Sequence, residues 1–238
     1  MPFDDIVDTL IRQPSSRWVG GYIVTAMMVL MCSAAAAFAV ALFVSGDWRA
    51  ALCAGAFSSW FLVLARYVWR DASARHGWRV GIGYDTIALD LPANRFLMTH
   101  AERVREHIPY SSIESIETRT EAWNSLGMTN IQRAYALRLR SGRLVRLGED
   151  RALGTSLADQ TVGGMVDKLI LRSGLRLRDL GMVEAHARLL GIVHTSMPPW
   201  DSPGISKDST AKAWQRVEFT GTLAGLVTAL AIAALVLG

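Results

Sequence analysis

Residues 18–44 read WVGGYIVTAMMVLMCSAAAAFAVALFV and contain no charged side chain. A second uncharged run covers 50–65, after a break at Ser45-Gly46-Asp47, and a third covers 219–238. Each run approaches or exceeds the ~18–20 apolar residues that cross the ~30 Å hydrocarbon core of a bilayer as a helix. The sequence therefore predicts a membrane α-helical protein with three spans. These are a two-span transmembrane hairpin within 17–70 and a third transmembrane helix at 214–238.

The overall composition agrees with this prediction. Of 238 residues, 51% are hydrophobic and 19% are charged, whereas soluble domains average about 25% charged residues. A cleaved signal peptide explains the first run less well, because a signal core spans only about 7–15 apolar residues. Most of the charge lies between 70 and 216, which predicts one domain of ordinary size outside the membrane.

Flanking arginines predict the orientation of the hairpin. Two of them, Arg12 and Arg17, precede the first span, four follow the second span, and only Arg49 lies near the turn. Because positively charged residues stay on the cytoplasmic side of a membrane, we expect the N-terminus and the middle domain in the cytoplasm. The C-terminus is then expected on the far side.

Composition and the spacing of apolar residues divide the rest of the chain into three segments. Residues 1–16 carry apolar side chains at helical spacing, which predicts an amphipathic interfacial helix. Residues 71–193 are predicted to form the cytoplasmic domain. Residues 194–213 are rich in Pro, Gly, Ser and Thr, which predicts a flexible linker with little drive to fold.

Within the middle domain, five stretches alternate like short β-strands, and Ser141-Gly142 supplies a hairpin turn. A helix is predicted behind a possible cap at Asp159, and Gly174 closes it. A second helix is predicted at about 180–192. The predicted strands are 78–84, 86–91, 113–119, 135–140 and 143–147. The apolar stripe of the first helix is Val162, Met165, Val166, Leu169 and Ile170.

Two sequence segments within or next to these strands resemble segments of a known protein family. Residues 108–113 read IPYSSI, which resembles the isoleucine-proline-x-x-x-isoleucine stretch that opens a strand in bacterial pleckstrin-homology-like (PH-like) membrane proteins. Residues 138–146 read RLRSGRLVR and resemble the hairpin that follows that strand. The resemblance covers about 75–175. It implies a bacterial inner-membrane protein with an α+β domain, in which a bent antiparallel β-sheet of seven strands is capped by a C-terminal helix.

The second of these segments carries a candidate contact surface. Alternation along the strands leaves apolar side chains for the core and arginines for the other face. Those arginines could contact anionic lipid head groups or an acidic partner, and the alternative is a solvated strand face. The candidate lipid or partner contacts are Arg138, Arg140, Arg143 and Arg146. The side chains expected in the core are Leu137, Leu139, Val145 and Leu147.

Small residues recur every four positions in all three predicted spans, a spacing that lets helix backbones approach closely. The hairpin could satisfy one such stripe internally, which would leave at least one for another protein. The candidate packing residues of the third span are Gly221, Gly225, Ala229 and Ala233. The stripes of the hairpin are Ser33, Ala37 and Ala41, then Ala51, Gly55 and Ser59.

No catalytic or cofactor motif is recognised in the sequence. The Gly81-Ile-Gly83 turn lacks the third glycine of a nucleotide fingerprint, and no histidine has the partners that a zinc site needs. Cys32 and Cys53 are predicted too far apart for a disulfide. We therefore expect no catalytic residue, cofactor, metal, nucleic acid or small-molecule substrate. One polar cluster, for which an exposed loop is the alternative, comprises His100, Glu102, Glu106 and His107.

Two functions remain after these exclusions. The first is a non-catalytic accessory, scaffold or assembly subunit of a larger membrane complex, with lipids and other integral membrane proteins as partners. The alternative is a membrane-surface module that binds anionic head groups through its arginines. An enzyme is not expected, although 92–107 and 120–132 are longer than a minimal PH-like domain needs and could assemble a site that no motif shows.

Overall fold

The computed structural model describes residues 8–125, 128–151, 160–188, 194–217 and 219. The chain divides into two compact units. One contains 1–81 and 88–106, and the other contains 82–87 and 107–238.

Two long helices form the hairpin that the sequence predicts. Helix α1 covers Ser15–Val44 and helix α2 covers Trp48–Gly77. The turn between them is closed by Asp47, whose side chain accepts a hydrogen bond from the amide of Ala50 at 3.2 Å. Both helices are long and apolar enough to cross a membrane. The third predicted span lies outside the described residues from 220 onward, as do its packing residues Gly221, Gly225, Ala229 and Ala233.

The two helices pack through small residues. Every seventh residue of α2 is buried, at Ala51, Ser58, Ala65 and Ala72. Gly21 of α1 lies so close to Ala72 that a Cβ placed on it would be 2.8 Å from the Cβ of that alanine. In the middle of the hairpin, Ser58 Oγ donates to the carbonyl of Cys32 at 3.0 Å. The predicted stripe Ser33, Ala37 and Ala41 is exposed and takes no part in this contact.

Both cysteines are free thiols, as predicted. Cys32 lies against Ser58 within the hairpin, with its sulfur 3.1 Å from Ser58 Oγ. Cys53 is exposed.

A four-stranded sheet has the order β1-β2-β3-β4. Its strands are β1 at Thr9–Arg12, β2 at Arg79–Ile82, β3 at Thr86–Leu91 and β4 at Val104–Pro109. The predicted interfacial helix at 1–16 is therefore wrong at 9–12, where pairing in this sheet overrides the helical spacing of the apolar residues. Residues 1–7 lie outside the described part of the chain.

A second, five-stranded sheet has the order β7-β6-β5-β8-β9. Strand β5 pairs with β6 in antiparallel and with β8 in parallel orientation, so this sheet is mixed and not the wholly antiparallel sheet that was expected. Helix α3 connects the β5-β6-β7 meander to β8. The elements are β5 at Ile113–Ser125, β6 at Met128–Leu139, β7 at Leu144–Asp150, α3 at Thr161–Ser173, β8 at Leu177–Arg188 and β9 at His194–Ser196.

The structure confirms most of what the sequence predicts for helix α3. Val162, Met165, Val166 and Leu169 are buried, and the helix ends at Gly174, which has a positive φ of 68°. The proposed cap Asp159 lies outside the described residues. The distant carboxylate of Asp150 instead accepts hydrogen bonds from the amides of Val162 and Gly163, each at 2.9 Å.

Two predictions downstream of α3 are wrong. The predicted helix at 180–192 is strand β8 up to Arg188, and its buried residues Val183, Ala185 and Ala187 follow the period of two that a strand requires. The segment 194–213 is packed and not a flexible linker. It contains β9, the buried Trp200, and much of a helix at 207–217, here named α4, in which Ala213 is fully buried.

Candidate functional site

One face of the five-stranded sheet is lined by charged residues that water does not reach. Because side chains alternate along a strand, Glu117, Arg119, Glu121 and Trp123 of β5 share a face, and all four are buried. On the neighbouring strand, Gln132 stands directly opposite Glu121. Buried charges are costly unless they are paired, so the partners of each group decide whether this face is stable.

Arg119 and Glu121 form the centre of this charged face. Both side chains are 0% exposed, and Nε and Nη2 of Arg119 each lie 2.9 Å from Oε1 of Glu121. The second oxygen of Glu121 accepts hydrogen bonds from the indole of Trp123 at 2.9 Å and from Nε2 of Gln132 at 3.3 Å. The Glu121 carboxylate is therefore neutralised by one cation and held by two neutral donors.

A second carboxylate continues the network. Nε2 of Gln132 also donates to Oε2 of Glu149 at 2.7 Å, and Nε of Arg151 donates to Oε1 of the same carboxylate at 2.8 Å. One amide NH2 group thus bridges two buried carboxylates, each of which has its own arginine. This arrangement balances the charges pair by pair.

Four residues that follow β9 lie over this face, and we name Pro198–Asp201 the strap. Nη1 of Arg119 donates to the carbonyl of Pro198 at 3.3 Å and to that of Pro199 at 2.9 Å. The guanidinium carbon of Arg119 lies 4.5 Å from the centre of the Trp200 ring, within the range of a cation–π contact. Arg119 therefore contacts both the backbone and the aromatic side chain of the strap.

Glu117 is the second anchor of the strap. The indole nitrogen of Trp200 donates to Oε2 of Glu117 at 2.7 Å. The same carboxylate receives Nε of Arg138 at 3.3 Å and Nη2 at 3.0 Å. Arg138 also pairs with the exposed carboxylate of Asp201, which closes the rim of the site.

The strap has a defined turn and fixed ends. The amide of Ser202 donates to the carbonyl of Pro199 at 3.1 Å, so the turn projects Trp200 towards the sheet. On one side β9 pairs with β8, and on the other the amide of Ile205 donates to the carbonyl of Met182 at 2.7 Å. The strap therefore spans two attachments to the same strand.

The register explains how a tryptophan fits against a sheet. Glu117 and Arg119 stand opposite Ala136 and Ala134 of β6, and Ala136 stands opposite Arg146 of β7. Two alanines side by side leave room above the strands for large side chains. We name this space, beneath the strap and between Glu117, Arg119 and Arg146, the groove.

Two arginines, Arg146 in the groove and Arg138 at its rim, have shifted pKa values. Burial lowers the pKa of Arg146, and the positive charge of Arg119 lowers it further. The negative charges of Glu121 and Glu149 act in the opposite direction and raise it. The guanidinium of Arg146 lies 5.9 Å from the Trp200 ring centre. At the rim, the hydrogen bond to Glu117 raises the pKa of Arg138. Arginine remains charged under both influences, so Arg138 and Arg146 keep their positive charges at physiological pH.

The four predicted contact arginines do not form one solvent-facing stripe. Arg138 and Arg146 share the face that the sequence assigned to them, but the strap covers that face. Arg140 is exposed and donates from Nε to the carbonyl of Ser111 at 2.8 Å, and Arg143 is exposed at the turn. The four apolar residues of the same hairpin, Leu137, Leu139, Val145 and Leu147, are buried as predicted.

A second buried polar cluster joins β6 and β7 to α3. The hydroxyl of Tyr135 donates to Oδ2 of Asp150 at 3.1 Å, and Asp150 also caps α3. Burial raises the pKa of Tyr135, and the negative charge of Asp150 raises it further. A Cβ on Gly163 would lie 2.6 Å from Oδ2 of Asp150, so this glycine is needed for the close approach.

Among described residues, no group of three or more His, Cys, Asp or Glu side chains is arranged to hold a metal ion. A surface pocket of about 440 Å³ lies beside the end of α2, where Arg103 and Asp90 are 3.7 Å apart. His100 and His107 are both exposed. The residues that line the pocket are Gly77, Arg79, Asp90, Pro92, Ala93 and Arg103.

Sequence reasoning missed the strap and its anchors. Two signals were present: alternating acidic and basic residues at Glu117, Arg119 and Glu121, and the run MPPWD at 197–201. Charged residues at every second strand position predict a solvated face, and prolines predict a loop, so neither signal pointed to burial.

Comparisons with known proteins do not assign the chain. No family model, curated protein or solved structure matches it.

Proposed function

We propose that this chain is a non-catalytic accessory or scaffold subunit of a larger protein complex in a bacterial inner membrane. In this proposal the hairpin packs on other membrane proteins, and the β-rich part is a PH-like interaction domain in the cytoplasm. The proposal rests on how the hairpin distributes its small residues.

The supporting observation is the exposed stripe Ser33, Ala37 and Ala41 on α1. The contact with α2 uses a different set of small residues, so this stripe remains for another helix. Small side chains are the ones that let helices approach closely in lipid, where apolar side chains alone give little drive to associate. The Oγ of Ser33 is already satisfied by the carbonyl of Val29 at 2.9 Å, so a partner helix need not supply a hydrogen bond there.

The PH-like part of the proposal is supported by local order along the chain. Pro109 ends β4, and Ile113 begins β5, as the family phrase implies. A meander of β5, β6 and β7 then precedes α3. The parallel strand β8 and strand β9 go beyond what the resemblance implies.

The lipid-binding alternative has less support. Arg138 and Arg146 are engaged with Glu117, Asp201 and Trp200, which leaves Arg140 and Arg143 as the exposed members of the predicted group. Two arginines near a membrane surface contribute only about 1 kcal/mol each.

The test compares two substitutions on α1. Ala37→Leu should block close approach of a partner helix, whereas Val40→Leu, at another exposed position of the same helix, should not. The tagged protein is extracted from its native membrane in mild detergent, and everything bound is identified by mass spectrometry. We expect a stoichiometric membrane protein with the parent chain and with Val40→Leu, and its loss with Ala37→Leu. Recovery of the parent as a lone chain with anionic lipid would contradict the proposal and favour the lipid alternative.

A further inference from the structure

The strap occupies the groove with contacts that any peptide of the same chemistry could make. Arg119 binds two backbone carbonyls, Glu117 binds an indole N–H, and Arg138 binds a carboxylate. All of these partners come from four consecutive residues. Each of these contacts uses a chemical group that a separate peptide can also present.

We propose that the groove is a peptide-binding site that the chain fills with its own Pro198–Asp201. A segment of a partner protein with the same chemistry, a tryptophan that follows prolines and precedes a carboxylate, competes for it. The strap is then an internal pseudo-ligand. The inference goes beyond the proposed packing of the hairpin, because it concerns a different surface and a different kind of partner.

The chemistry of the groove favours a protein segment over a lipid head group. Glu117 faces the occupant with a carboxylate, which requires an N–H donor, and the Trp200 indole supplies one. A phosphate has no such donor and would meet the negative charges of Glu117 and Glu121. The space between the guanidinium groups of Arg119 and Arg146 suits an aromatic ring that both cations can contact.

The energetics of the groove favour exchange of the occupant over an empty site. Without a peptide, the buried Arg119 would lose two acceptors and Glu117 would lose a donor, and such unsatisfied groups are costly. The outermost contact, between Arg138 and Asp201, is instead at the exposed rim, where an ion pair contributes little. A competing segment can therefore begin at the rim and replace the strap contact by contact.

The experiment measures binding of a fluorescein-labelled peptide to the full-length protein in phosphatidylcholine nanodiscs. The peptide has the sequence of residues 195–203, TSMPPWDSP, and its control has alanine in place of tryptophan. Three proteins are compared: the parent, Asp201→Ala, and the double variant Trp200→Ala with Asp201→Ala. A short tether holds the strap at an effective concentration on the order of millimolar, so the parent should bind the peptide most weakly.

We expect affinity to rise in the order parent, Asp201→Ala, double variant, with at least about a tenfold difference between the ends of the series. The alanine control peptide should bind none of them measurably. If the double variant fails to fold, as judged by its unfolding transition, Trp200→Phe replaces it, because phenylalanine keeps the ring but loses the N–H that Glu117 binds, and this variant should still bind the peptide more tightly than the parent. Equal or absent binding across the folded variants overturns the proposal.

A second pair of nanodiscs separates peptide from lipid. Addition of phosphatidylglycerol to the discs should leave the peptide affinity of the double variant unchanged. If anionic discs abolish peptide binding, head groups and not a protein segment occupy the groove, and the proposal is wrong. Because the assay uses purified protein, its outcome does not depend on whether the hairpin has a membrane partner.

Discussion

The indole nitrogen of Trp200 and the carboxylate of Glu117 are joined by a hydrogen bond of 2.7 Å, although 83 residues separate them in the chain. Glu117 is almost completely buried, so its carboxylate depends on protein donors. The two residues link the last part of the described chain to the central strand of the sheet. Substitutions at this link should therefore lower the stability of the compact unit that contains both residues.

Trp200→Phe should destabilise the protein by about 1–3 kcal/mol. Phenylalanine keeps an aromatic ring for Arg119 but removes the N–H, which leaves a buried carboxylate short of one donor. The free energy of unfolding is measured by denaturant titration in detergent. Trp48→Phe is the control, because Trp48 is exposed at the start of α2 and should cost little. Equal losses from the two substitutions would show that the indole hydrogen bond is unimportant.

Arg119→Met and Glu121→Gln should each cost about 3–5 kcal/mol, because each leaves one buried charge without its partner. The double variant should lose much less than the sum of the single losses, since it removes both charges together. A double-mutant cycle on unfolding free energies measures the difference. Additive losses would mean that the two side chains do not act as a pair.

Gly163→Ala should destabilise α3 and its attachment to β7. The new methyl group would meet Asp150 and the Tyr135 hydroxyl, at 2.6 Å and 2.8 Å. The matched control is Gly164→Ala, because a Cβ at that position meets nothing within 4 Å. Alanine there should be neutral or stabilise the helix by up to about 1 kcal/mol. Thermal unfolding measures the melting temperatures of both variants. Similar melting temperatures would contradict the close packing of Gly163 against Asp150 and Tyr135.

Alkaline pH should weaken the protein through Tyr135. The pKa of this tyrosine is raised by burial and by Asp150, so the folded state holds the phenolic proton more tightly than the unfolded state. The associated stability is fully present below the unfolded pKa of about 10 and falls as pH rises above it. Tyr135→Phe should flatten this dependence in unfolding curves recorded across that range. A variant with the same alkaline slope as the parent would assign the loss to other groups.

Local sequence patterns predicted the parts of the fold in which local pattern and final environment agree. The first two uncharged runs lie within α1 and α2, and the alternation at 135–140 and 143–147 coincides with parts of β6 and β7 except for residues 140 and 143. The left-handed residue Gly174 ends α3 where the sequence placed it. In each case the side chains that a local window contains are the ones that decide the structure.

The failures have a common physical cause in long-range contacts. Residues 180–188 were predicted as part of a helix from their apolar stripe, and pairing with β5 makes them part of a strand instead. Pro198 and Trp200 belong to a segment with loop composition, and residues far away in the chain, Glu117 and Arg119 among them, hold it against the sheet. Alternation placed Arg138 and Arg146 on the face opposite the apolar residues of the hairpin, but a single strand pair contains no information about what lies above that face.

The parallel pairing of β5 with β8 has a consequence for the order in which the chain can fold. Ile116 pairs with Leu177, so the whole of β6, β7 and α3 must emerge from the ribosome before β5 gains its second neighbour. Closure of long loops is slow relative to hairpin formation. During this delay β5 presents an open edge, and unpaired edges of nascent sheets associate readily with other strands. We therefore expect the growing chain to pass through a stage at which the unpaired edge of β5 makes it prone to aggregation.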